Sequence, residues 1–93
     1  MRIEYKTSFE RSIKAVNPHD KEEIKKVIND LIDILSTDRP LQQGLGLKRL
    51  QGSYWEIRKG LKARVLFRWQ KEFVEFILVG HHDDIKRFLK SVW

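Results

Sequence analysis

Seven basic side chains and one carboxylate crowd the stretch Leu47 to Arg68, LKRLQGSYWEIRKGLKARVLFR. Lys48, Arg49, Arg58, Lys59, Lys62, Arg64 and Arg68 stand against Glu56 alone. The chemistry open to such a set is the binding of phosphate. A guanidinium is permanently charged and forks onto two oxygens, and an ammonium adds a mobile point charge. The chain as a whole has a formal charge of +6, and residues 1–46 cancel with eight basic and eight acidic side chains. The positive excess is therefore concentrated in one stretch. That stretch reads as a basic loop, a strand, a tight turn and a second strand. A rigid hairpin that projects several arginines suits a polyanionic partner such as nucleic acid.

Composition removes other classes. Cysteine is absent, which excludes disulfides and thiolate metal sites. His19, His81 and His82 lack the i,i+4 spacing of a helical metal site, so no metal or cofactor is expected. No apolar run approaches the roughly 20 residues of a membrane span. The N-terminus MRIEYKTS has no apolar segment of the signal-peptide kind. The expectation is a soluble, cytoplasmic protein with no membrane partner. Its 93 residues make one domain, 1–93, with a single compact core.

The elements that must position these side chains follow from periodicity. Arg2 to Lys6 alternates, with Ile3 and Tyr5 on one side, and predicts a short strand. Thr7 and Glu10 have the spacing of a capping box for a first helix with the stripe Phe9, Ile13, Val16. Asn17-Pro18 stops it. A second helix begins at Pro18 to Asp20. It carries Ile24, Val27, Ile28, Leu31, Ile32, Ile34 and Leu35 at helical spacing and ends at Ser36-Thr37, with Pro40 beyond. Residues 38–53, with Gly44, Gly46 and Gly52, read as a loop pinned by Leu45, Leu47 and Leu50. Tyr54 to Lys59 and Ala63 to Trp69 are strands around a turn at Gly60. Phe73 to Val79 is a nearly continuous apolar strand, hence covered on both faces. Asp83 or Asp84 can cap a last helix with Ile85, Phe88, Leu89 and Val92 on its apolar side. The order β-α-α-β-β-β-α predicts an α+β domain: an N-terminal strand and helical hairpin packed on an antiparallel sheet, and a short C-terminal helix.

The segments LKRLQGSYWEIRKG, ARVLFRW and VEFILVGHHDDIKRFL, in this order and spacing, resemble the RelE/ParE superfamily of bacterial and archaeal toxins over nearly the whole chain. The resemblance implies the small RelE-like fold and the toxin of a type II toxin–antitoxin system. In the RelE-like branch it implies a metal-independent endoribonuclease that cleaves mRNA, usually on the ribosome. The ribose 2′-OH attacks its own 3′ phosphate, leaving a 2′,3′-cyclic phosphate and a 5′-OH. Its implied partners are mRNA, the ribosome and a cognate antitoxin in a hetero-oligomer. The ParE-like branch implies a gyrase inhibitor instead. A third reading is a catalytically weak relative that only binds nucleic acid or an antitoxin.

The implied reaction needs a group to take the 2′-OH proton, a group to offset phosphorane charge and a group to protonate the 5′-oxygen. In strand phase, Tyr54, Glu56 and Arg58 share one face, as do Arg64, Leu66 and Arg68. His82 is in phase with Val74, Phe76 and Leu78, and His81 with the other face. If the register matches the family's, Glu56, Arg58, Arg64 and His82 converge as the catalytic set. Arg64 matches the family's phosphate-contacting arginine, or else pairs with a carboxylate such as Glu75. Glu56 is a general base or a cross-strand ion-pair partner of an arginine. His82, or in its place His81, is an acid, or the pair is only a strand-to-helix turn. Lys48, Arg49, Lys62, Arg68, His81 and Phe88 are the expected RNA-binding residues. Phe88 stands where many relatives have a tyrosine, and His81-His82 where they have lysine and arginine. Asp83 and Asp84 add negative charge beside the expected phosphate. Trp93 is a candidate for partner docking.

Overall fold

The computed structural model describes residues 1–37 and 46–92. The alternating segment Arg2–Tyr5 forms β1, and Thr7–Lys14 and Pro18–Ser36 form α1 and α2. Leu47–Gln51, Tyr54–Ile57, Arg64–Gln70 and Phe73–Gly80 are β2 to β5, and His82–Val92 is α3. The strands lie in one sheet in the order β1-β5-β4-β3-β2. The meander β2 to β5 is antiparallel, but β1 pairs parallel to β5. The sheet is therefore mixed where an antiparallel one was expected. The reason is the helical hairpin, a crossover long enough to join strands running the same way.

Side-chain alternation divides the interior into two layers. On one face α2 buries Ile24, Val27, Ile28, Leu31 and Leu35, and α1 adds Phe9. They meet Ile57, Val65, Phe67, Val74, Phe76 and Val79 from the sheet. On the other face Leu66 and Ile77 meet Ile85 of α3, flanked by Leu50, Tyr54, Leu78, Phe88 and Leu89. β5 is thus covered on both faces, as its sequence implied. Asn17 caps α2 by accepting the Asp20 N–H at 2.9 Å, with Pro18 in the first turn, where its missing N–H costs nothing.

Two local expectations are corrected. The Thr7–Glu10 capping box does not form, because the N-cap is Lys6, which makes no side-chain cap. The Lys6 N–H is still bonded to Phe76 O at 2.9 Å, so the chain passes from ladder to helix with no free capping residue. Within the expected loop, Leu47–Gln51 is a strand paired to β3. Leu47 packs into the larger cluster and Leu50 into the smaller one, so each face received one apolar residue and no alternation was visible. Pro40, Gly44 and Leu45 lie outside the described residues.

β5 outlasts its neighbour. β1 stops with Tyr5 opposite Phe76, and α1 takes over the edge beyond. The Ser8 hydroxyl donates to Ile77 O, and the Val79 N–H donates to Ser12 Oγ at 2.9 Å. At the same place the β4–β5 register slips: Leu66 faces Leu78 while Phe67 faces Phe76. Ile77 is the extra residue of a β-bulge, which re-aims the strand end.

Candidate functional site

Glu56 and Arg64 are neighbours on the face beneath α3. Glu56 stands opposite Leu66 in the β3–β4 register, so Arg64, two residues earlier, is its diagonal neighbour and within side-chain reach. Arg64 Nε lies 2.8 Å from Glu56 Oε2. The carboxylate is buried at 7% exposure, whereas 24% of the Arg64 side chain is exposed. The Nε is buried and makes no aligned hydrogen bond, so the pair is held by charge proximity. A guanidinium has five N–H donors, and one such contact leaves it capacity for an incoming anion.

The β5–α3 turn arrives at the same end of the sheet. Gly80 is the register partner of Arg64, and His81 and His82 follow directly. His81 is the N-cap of α3: its C=O accepts from the Ile85 N–H at 3.2 Å, and its own N–H donates to Asp84 Oδ2 at 2.9 Å. Asp84 therefore acts as the third helical residue of a capping box, reaching back to the cap. Its charge is occupied in holding this turn and in a 3.6 Å contact with Arg87. Gly80 is required by the same packing, because a Cβ there would lie 2.8 Å from both Cβ and Oδ2 of Asp84. Gly80→Ala is accordingly expected to displace Asp84, release the His81 N–H and lower stability by about 1–2 kcal/mol. Thermal unfolding checks this, with Asp84→Ala as the reference for loss of the cap alone.

This architecture of hairpin, sheet and terminal helix recurs in solved toxin structures. A chain of the RelB–RelE antitoxin–toxin complex from Methanococcus jannaschii superposes with a TM-score of 0.68, covering 91% of this chain and 96% of that one at 22% identity. YafQ from E. coli strain BL21(DE3) gives 0.65 over 91% and 98% at 17% identity. The toxin–antitoxin complex RelBE2 from Mycobacterium tuberculosis gives 0.61 over 87% and 96% at 20% identity. The chain has the RelE fold. No family model and no curated protein matches its sequence. The resemblance read from three sequence segments thus holds at the level of structure.

On this RelE fold the expected site residues separate into groups. Lys48, opposite Glu56 in register, shares its face. Arg58 lies just past the end of β3 and is exposed, with its backbone N–H donating to Gly46 O at 3.1 Å. Gly46 permits this approach: its φ is +65°, and a Cβ would meet Lys59 N at 2.7 Å. Lys48, Arg58 and Lys62 are exposed and enter no ion pair among the described residues. Lys59 is tied to Asp30 at 2.6 Å, and Arg49 donates to Gly52 O at 2.8 Å. Arg68 lies toward the other end of β4, 3.4 Å from Glu75 Oε1, and Lys6 approaches the same buried carboxylate at 3.7 Å. The pairing with Glu75 considered for Arg64 is thus made by Arg68, while Arg64 takes Glu56.

Three further readings change. The strand-phase argument for His82 fails, because the Ile77 bulge shifts the phase and His82 is already the first residue of α3. It stands at the helix start, two residues past Gly80, the register partner of Arg64. Phe88, expected as a ring for stacking on RNA, is half-buried and packs against the smaller core, edge-on to Tyr54 at 5.8 Å. Asp83 or Asp84 was expected to cap the last helix and to add unhelpful charge, but the helix starts earlier, at His82, its cap is His81, and Asp84 accepts the His81 N–H. The signal was present as an acid three residues after the cap and just before an apolar run. Trp93 lies outside the described residues.

Proposed function

We propose that the chain is the toxin of a type II toxin–antitoxin pair and that it cleaves mRNA presented by the ribosome. The observation that carries the reading is the 2.8 Å Glu56–Arg64 contact at the end of the sheet where the His81-His82 turn arrives, on a RelE fold. In this reading the Glu56 carboxylate takes the proton of a ribose 2′-OH. The oxygen attacks the adjacent phosphorus, and Arg64 stabilises the charge that gathers on the phosphorane, with Arg58 adding to the field. His82 gives its proton to the departing 5′-oxygen. The products are a 2′,3′-cyclic phosphate and a 5′-OH, and the step needs neither metal nor cofactor. Lys48 and Lys62, both unpaired among the described residues, bind the RNA backbone.

The partner reading rests on the neighbours: RelE was solved with RelB and YafQ with DinJ. A cognate antitoxin that covers the basic surface would neutralise the toxin. A cytoplasmic setting fits ribosomal work, and among the described residues no helix is long and apolar enough to cross a membrane. Primer extension on a reporter mRNA in a reconstituted translation reaction tests the proposal. It expects ribosome-dependent cuts at codon boundaries, lost in Arg64→Ala. Growth arrest with uncut mRNA and continuing translation would sink it, and a supercoiling assay would then test the gyrase-inhibitor alternative.

A further inference from the structure

We propose that the free edge of β1 is a homodimer interface, at which a second copy of the chain pairs antiparallel about Ile3. The sheet order leaves β1 and β2 as the two edge strands, and among the described residues no strand pairs with the outer side of either. An open edge is a template for another strand unless the sequence blunts it. β2 is blunted: its ladder to β3 is interrupted between Arg49 and Gln51, and its charges, Lys48 and Arg49, are of one sign. β1 has an unbroken register and no proline, and its charges alternate in sign along the chain as Arg2, Glu4 and Lys6.

The backbone sets which residues can pair. The Arg2 N–H donates to Glu72 O at 2.7 Å and the Lys6 N–H to Phe76 O at 2.9 Å, so the even-numbered residues of β1 turn their backbone groups toward β5. Backbone groups alternate in direction along a strand, and those of Ile3 and Tyr5 therefore point outward. An antiparallel copy exchanges both bonds between directly opposed residues of this outward set. Centred on Ile3, the pairing sets Ile3 opposite Ile3, Met1 opposite Tyr5 and Arg2 opposite Glu4. α1 begins at Thr7, outside the paired residues 1–5.

The side chains select the same register. Opposed residues of an antiparallel pair share a face. On one face Arg2 of each copy meets Glu4 of the other, two opposite-charge pairs generated by one two-fold axis. Both side chains are exposed in the single chain, at 71% and 52%. On the other face Met1 meets Tyr5. These are two of the three large apolar side chains left exposed among the described residues, at 43% and 46%. Both lie on the α2 side: the Tyr5 ring is 5.2 Å from that of Phe76 in the larger core, and Met1 Sδ is 3.9 Å from Ser36 Oγ. Centring on Glu4 instead would oppose Glu4 to Glu4 and Arg2 to Lys6, and like charges directly opposite are destabilising. By register, Glu4 shares its face with Glu75, Arg68 and Tyr54, so the two copies present their Glu56–Arg64 pairs on the same side of one continuous sheet. Residues 1–5 of each copy make a contact at the small end of specific interfaces, and a concentration-dependent equilibrium is expected.

Sedimentation velocity on the full chain, from about 10 μM to about 1 mM, reads that equilibrium. The mass is expected to rise with concentration from 11.2 kDa toward twice that value. In Arg2→Glu, and equally in Glu4→Arg, both charge pairs become repulsive at once, and the dimer should weaken by about tenfold or more. Mixing the two variants sets opposite charges against each other again, and a heterodimer of about wild-type affinity should form. That rescue separates lost pairing from lost folding. Amide hydrogen exchange supplies the second readout: the Ile3 and Tyr5 N–H groups should gain protection as concentration rises, and the amides of β2 should not. A chain that stays monomeric across the range overturns the proposal and leaves the edge to a strand of another protein. A dimer that both variants leave unchanged, or protection at β2 in place of β1, also overturns it. None of these measurements involves RNA, so their outcome is independent of the nuclease reading.

Discussion

Arg64→Ala is expected to slow RNA cleavage by about 10²–10³-fold, the usual cost of removing one group aimed at transition-state charge. The effect should fall on kcat more than on KM, because the phosphorane carries more charge than the bound phosphodiester. Arg64→Lys restores the charge without the planar fork and should recover only part of the rate. The same change has a structural cost that must be separated from the catalytic one. It leaves the Glu56 carboxylate buried at 7% exposure with its 2.8 Å partner gone. Loss of a fully buried partner costs about 3–5 kcal/mol, but solvent reaches Arg64 and screens the pair, so about 1–2 kcal/mol is expected. The double variant Arg64→Ala, Glu56→Gln should regain most of that stability in urea unfolding and none of the cleavage. If Arg64→Ala cuts RNA at the wild-type rate while destabilising the protein, the pair is only a structural tie between β3 and β4.

How far the sequence could be read depended on whether the deciding interaction was local. Helix α2 was legible because its stripe, Ile24 to Leu35, repeats over about three turns and its Asn17-Pro18 start is a short-range signal. The two-sided burial of β5 was legible because its apolar run is nearly unbroken. Strand alternation grouped Glu56 with Tyr54 and Arg64 with Leu66 within their own strands, but that the two groups share a face depends on the Glu56–Leu66 register, which was expected only from the family resemblance. The bulge at Ile77 was not legible. It is set by a register slip against β4 and by serine hydroxyls of α1, 67 and 69 residues away in the chain. An alternation argument carried through it therefore placed His82 for the wrong reason. β2 was hidden because its Lys48-Arg49 pair breaks the apolar pattern and its two leucines serve different cores. Which carboxylate each arginine takes depends on the diagonal offset between strands, and a single strand does not reveal it. Asp84 is the opposite case, a local signal that was legible but misplaced: the expectation made it a candidate N-cap of α3, whereas the cap is His81 and Asp84 bonds back to it.

His82→Ala is expected to reduce cleavage by about 10²–10⁴-fold, the range for loss of a general acid or base. His81→Ala should not match it, although the two residues are adjacent. The work of His81 at the start of α3 is done by its backbone N–H and C=O, which alanine retains, and its side chain borders a cavity beside the α1–α2 turn. Its loss should therefore not reproduce the fall in kcat expected of His82→Ala. A leaving-group substitution separates a proton-transfer role for His82 from a merely structural one. In an RNA whose bridging 5′-oxygen is replaced by sulfur, the departing thiolate is a far weaker base than an alkoxide and needs little protonation. His82→Ala should approach the wild-type rate on that substrate, while Arg64→Ala, which acts on phosphorane charge, should stay slow. A His82→Ala defect of the same size on both substrates would mean that the imidazole does not protonate the leaving group. The helix start would then have brought a histidine to the Arg64 end of the sheet for packing or RNA contact alone.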